Sequence, residues 1–82
     1  MKLVLIEWVD SHGPVEGWRV LEGELRPEVL KCKSVGWLIH DGEDCKIVVP
    51  HIAGDESDGI PFQGRGDLTI PCRSITALKE LK

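Results

Sequence analysis

The first ten residues, MKLVLIEWVD, carry a period-two pattern in which Val4, Ile6 and Trp8 share one face and Leu3, Leu5, Glu7 and Val9 the other. This predicts a first strand with Trp8 in the core. DSHGP breaks it, since Asp and Ser suit side-chain-to-backbone turns and Gly13-Pro14 follows. VEGWRVLEGEL then predicts a second short strand around Trp18 to Leu21. In RPEVLK, Pro27 followed by Glu28 fits the opening of one helical turn. From Lys33 to Ile39 the odd positions Val35, Trp37 and Ile39 are apolar, while Ser34 and Gly36 between them are small, so the odd face is expected to be buried. HDGED supplies a turn, with Asp41-Gly42 as a favoured hairpin pair, and CKIVVPHI returns rich in β-branched residues.

Residues 53–66, AGDESDGIPFQGRG, hold four Gly and a Pro and read as a long loop, of the kind that is often functional. DLTIPCRSITALKEL gives a short strand, a tight turn over residues 71–74, and a final element. Ile75, Leu78 and Leu81 have helical spacing, but β-branched Ile75 and Thr76 favour a strand beginning at Ile75. The expected order is strand, long excursion, strong hairpin, loop, short strand, tight turn, strand. That order predicts an all-β fold: a small SH3-like barrel of about five strands, with one 3-10 turn before the last, formed by residues 1–82 as a single domain.

Length and composition narrow the function. Eighty-two residues bury only about two-thirds or less of the unfolded surface, so a large enclosed active site is not expected. With one Phe, no Tyr and three Trp, the tryptophans supply most of the aromatic bulk. A net charge of -4 opposes a sequence-independent grip on duplex nucleic acid, yet permits a local basic pocket for one small anion. No apolar run is long enough to span a bilayer, and Glu7 interrupts the apolar start without a small-residue cleavage site. The expectation is a cytoplasmic protein whose three cysteines are reduced.

The stretch KCKSVGWLIHDGEDCKIVVPHI holds two cysteines, two histidines and a tryptophan, which raises metal or nucleophile chemistry. A two-residue turn at Asp41-Gly42 sets Leu38 against Cys45 and Cys32 against His51; a turn over Asp41 to Asp44 sets His40 against Cys45. In either register Cys32 lies roughly 20 to 26 Å along the ladder from the position facing Cys45, at ~3.3 Å per residue. A disulfide needs Cα atoms within about 7 Å. Each end of the hairpin offers two N or S ligands where zinc takes about four. Cys32 with His51 is the one thiol–base pairing the hairpin suggests, and no carboxylate lies beside it in sequence to orient the base. QGRGD lacks the Lys-Ser/Thr ending of a phosphate-binding loop, and its RGD lies in no extracellular context. Neither catalytic residues, nor a metal site, nor a cofactor is assigned.

A binding reading is left. Trp18, His40, His51, Arg65 and Arg73 fall on loops, strand ends or the turn, where a barrel exposes side chains. Arg clamps phosphate and Trp stacks on bases. The glycines flanking Arg65 let the backbone approach a ligand. Asp55, Glu56 and Asp58 form an acidic loop that reads first as a solvated surface, and second as a mimic of a polyanion or a chelator of a cation.

Taken together, VLIEWVDS, GW, CKSVGWLI, VVPHI and GDLTIPCRSITAL resemble the pattern of a family of small phage and prophage proteins, over nearly the whole chain. The resemblance implies a viral or integrated-element origin, hence the cytoplasm of a bacterial host, and brings no catalytic residues. With the Arg and Trp positions it gives the leading expectation: a non-enzymatic accessory protein that sequesters a small anionic ligand, most sharply a nucleotide immune signal of the host. Trp18 would be the stacking platform, and Arg65 and Arg73 the phosphate clamps, at a subunit interface of a homo-oligomer. The alternative is an adaptor or inhibitor that meets a host protein through the acidic loop and a sheet edge.

Overall fold

The computed structural model of this chain describes residues 1–23, 25–55, 57 and 59–82. Among them the strands are β1 (Lys2–Asp10), β2 (Leu30–Asp41), β3 (Cys45–Val49), β4 (His51–Asp55), β5 (Ile60–Arg65), β6 (Leu68–Pro71) and β7 (Ile75–Glu80), with a 3-10 turn at Cys72–Ser74 before the last. An antiparallel sheet runs β6-β3-β2-β1-β7, and β4 and β5 form a separate two-stranded ladder. The sheet is open: β6 and β7 are its edges and no ladder joins them, so the expected barrel is not closed.

One face of this sheet makes the core. Val4 and Ile6 of β1, Val48 of β3 and Ile70 of β6 are buried in one cluster, with Trp8, Leu38 and Ile75 packed against it. The β1 face is the one the period-two pattern predicted. On β2 the expectation fails, because the register pairs Val4 with Gly36, Ile6 with Ser34 and Trp8 with Cys32. Paired residues of antiparallel strands share a face, so the small even residues look inward. Val35 and Ile39 on the odd face are 54% and 47% exposed. Two neighbours explain the inversion. The Trp8 indole N–H donates to Ser34 Oγ at 3.0 Å, which needs a short polar side chain opposite. A Cβ on Gly36 would lie 2.8 Å from the Val49 carbonyl oxygen, so only glycine lets the end of β3 pass there.

The β2–β3 register also departs from both expected alignments. Leu38 pairs with Val48, and after a bulge His40 pairs with Ile47 and Asp41 with Lys46. Cys45 therefore faces neither Leu38 nor His40; its carbonyl accepts from Gly42 N–H at 3.1 Å. Because β3 ends at Val49, the ladder never brings Cys32 to His51: Cys32 faces Trp8 and His51 faces Arg65. The thiol–imidazole pairing is overturned.

The loop expected over residues 53–66 is largely the β4–β5 hairpin, pairing His51 with Arg65, Ile52 with Gly64 and Ala53 with Gln63. Its glycines do not break the strands. Gly54 takes φ 92° at the bulge and Gly59 φ 70° at the turn, conformations that glycine adopts without strain. Conversely, no strand forms at residues 18–21 and no helical turn at Pro27. Residues 11–29 make an arm off the β1–β2 end with no strand ladder, and each of its described residues is exposed.

The last element is a strand, and the turn before it is tied to the β2–β3 turn by two hydrogen bonds. Cys72 N–H donates to the Asp44 carbonyl at 2.9 Å, and its thiol to the Gly42 carbonyl at 3.4 Å. Beside this turn Asp41 pairs with Lys46, whose stem lies opposite buried Ile70 while its ammonium reaches the carboxylate. The hydrogen bond from Lys46, then its charge, holds the Asp41 carboxyl below its ordinary range, and the hydrogen bond to Asp41, with the carboxylate's charge, raises the Lys46 ammonium above its own against a smaller opposing effect of burial. A carboxyl depressed by folding adds stability above its unfolded pKa, about 3.9, and that stability is lost as pH falls through the folded value. The raised ammonium adds stability below about 10.4 that is lost as pH rises through its folded value. In a melting-temperature series against pH, Asp41→Asn is expected to shallow both the acid and the alkaline fall.

Candidate functional site: the His51–Arg65 cleft

The base of the β4–β5 hairpin brings two of the five candidate residues side by side. His51 and Arg65 are cross-strand partners, and Ala53 and Gln63 continue the same face. With Ile52 and Gly64 they line an open cleft of about 420 Å³. That size lies at the lower end of small-molecule sites.

The local sequence fixes this end of the hairpin. Pro50 separates β3 from β4, and Gly66 directly after Arg65 takes φ 78°, with the position of its missing Cβ only 3.2 Å from the Pro50 ring. On Gly64 a Cβ would stand 3.2 Å from Val49 Cγ1, so glycine lets β5 settle against buried Val49. The two glycines around Arg65 thus seat the hairpin rather than free the guanidinium.

Among the described residues the lining of the cleft contains no carboxylate. The Arg65 fork can take two oxygens of one phosphate, a task for which its planar geometry suits it. The His51 imidazole and the Gln63 amide add hydrogen-bonding groups, and Ala53 leaves room above the strands. Gln63 and Ala53 were not legible as site residues while the segment read as loop. The visible signal was the alternation His51/Ala53 before, and Gln63/Arg65 after, an acidic glycine-bearing turn.

The other three candidates lie elsewhere. Trp18 is 105% exposed on the arm. His40 is exposed at the end of β2, with its ring over Gly42, where a Cβ would meet Nε2 at 2.6 Å. Arg73 is exposed in the 3-10 turn. Between Arg65 and Arg73 runs all of β6, about 10 Å for three steps at ~3.3 Å each. Of these three, Arg65 lines the cleft and Trp18 and Arg73 do not. In the acidic loop, Glu56 and Asp58 lie outside the described residues.

All three cysteines are free thiols, and that of Cys32 lies 3.7 Å from the Leu30 carbonyl oxygen. Among the described residues no three His, Cys, Asp or Glu side chains converge as metal ligands, and no helix is long and apolar enough to cross a membrane. No protein-family model, curated protein or solved structure matches the chain.

Proposed function

We propose that this protein binds and sequesters a small phosphate-bearing ligand in the His51–Arg65 cleft, without chemical conversion. The observation that carries the reading is the cross-strand pairing of an arginine with a histidine over an open cleft with no carboxylate among its described lining residues, on a chain that is acidic as a whole. Arg65 holds the phosphate, and His51 and Gln63 hydrogen-bond around it. The resemblance to phage and prophage proteins supplies the setting. There the ligand is a nucleotide signal of a bacterial host's immune response, withdrawn from its receptor in the cytoplasm. The strand order, the long excursion after β1 and the 3-10 turn before β7 support an SH3-like scaffold, with the β4–β5 hairpin as an added ligand-binding element.

A thermal-shift panel of linear and cyclic nucleotides tests this. A ligand bound by the folded state alone raises stability by about 2.7 kcal/mol at a hundredfold excess over Kd. For a domain of this size that corresponds to a rise of about 10 °C or more. Hydrogen bonds to a charged group contribute about 1.5–3 kcal/mol, so Arg65→Ala is expected to weaken binding by roughly 10- to 150-fold and remove most of the shift. A flat panel, or a shift that survives Arg65→Ala unchanged, contradicts the reading.

A further inference from the structure

The chain exposes far more surface than its mass calls for. Its accessible area is 6988 Å², whereas a folded monomer of 9.1 kDa exposes about 4,900 Å². Its radius of gyration is 17.5 Å, with extents of 62 × 24 × 22 Å, where about 12 Å is usual for this length. The excess, about 2,100 Å² per chain, is what each partner of an obligate homodimer buries.

Two apolar surfaces are available to such a partner. The arm of residues 11–29 displays Val15, Trp18, Leu21 and Leu25 to solvent. The face of the sheet opposite the core carries Leu3 and Leu5 on β1, with their partners Trp37 and Val35 on β2; Val35 is exposed and the other three are half-buried. Charge complements the apolar match. Among the described residues of the arm, Glu16, Glu22 and Glu28 outnumber Arg19 and Arg26, while the outer face near the arm's root carries Lys31, Lys79 and Lys33, the last paired with Glu7 at 3.7 Å.

We propose that the arm of one copy packs across the outer sheet face of a second copy, and the reverse, so that the protein works as a symmetric homodimer by arm exchange. Both halves of the contact lie on one chain, so a two-fold operation covers both at once. Trp18 and Leu21 are the anchors on the arm, and Val35 with Leu5 is their seat. This inference stands independently of the ligand reading, because none of these residues lines the His51–Arg65 cleft.

Light scattering of the full chain behind a sizing column tests it, together with small-angle scattering. The expected mass is twice the 9.1 kDa of one chain. Trp18→Asp/Leu21→Asp and Val35→Glu are each expected to run as monomers. Mixed together they are expected to form a heterodimer, because one retains a seat and the other an arm. A dimer that persists in the arm variant overturns the proposal, as does a failure of the mixed variants to associate. Should either variant not fold, the wild type alone decides. A 9.1 kDa particle with a radius of gyration near either 12 or 17.5 Å overturns it, the first meaning an arm closed on its own sheet and the second an arm awaiting a different protein.

Discussion

Gly36→Ala is expected to cost about 3 kcal/mol or more and to leave little folded protein at 37 °C. The added Cβ would stand 2.8 Å from the carbonyl oxygen, 3.0 Å from the carbonyl carbon and 3.3 Å from the nitrogen of Val49. All three are backbone atoms, so no side-chain rotation relieves the clash. Moving them opens the Trp37–Val49 pair, and with it the anchor against which Gly64 seats the β4–β5 hairpin. Overpacking a core costs about 1–3 kcal/mol where the neighbours can adjust, and more where they cannot. Urea denaturation followed by circular dichroism checks this. An unchanged midpoint would mean that β3 does not pass Gly36 as described.

The second large effect is expected at Ile6. It is fully buried at the centre of a cluster whose other buried members are Val4, Val48 and Ile70, and it pairs with Ser34 on one side and Leu78 on the other. Small neighbours on β2 cannot fill a void beside it. Ile6→Ala is expected to cost about 2–5 kcal/mol and Ile6→Val about 0.5–1.5, a graded pair that separates packing from any change in strand propensity. A small domain with so few buried side chains holds only a few kcal/mol in reserve, so the alanine variant is expected to be largely unfolded. Equal costs for both substitutions would argue against a tightly packed site.

What was legible in the sequence is what short-range pattern controls. The face of β1, the turn before β7 and the strand from Ile75 follow from period two and β-branching within a few residues. The face of β2 did not, because the odd residues are the more hydrophobic and the deciding facts are distant ones: Trp8 donating to Ser34, and Val49 crossing Gly36. A bulge between Leu38 and His40 then shifted the hairpin register away from both alignments that turn chemistry offered. The β4–β5 hairpin was hidden because glycines that serve a bulge, a turn and two close contacts resemble a loop in composition. Site residues fared accordingly. Exposure of Trp18, His40, His51, Arg65 and Arg73 was readable from polarity and position, whereas which of them meet depends on the ladder that pairs His51 with Arg65. The arm was read as a short strand around Trp18 to Leu21 and a helical turn at Pro27-Glu28 from local signals alone, and neither forms there.

The most direct measurement is equilibrium dialysis of the wild-type chain against mono-, di- and cyclic nucleotides and inorganic phosphate, with the ligand recovered after denaturation and checked for chemical change. The structure and the proposed function together predict saturable binding of a phosphate-bearing ligand, intact recovery, and loss of binding in Arg65→Ala but not in His40→Ala. No retention of any phosphate compound, or recovery of an altered one, would contradict sequestration at the His51–Arg65 cleft.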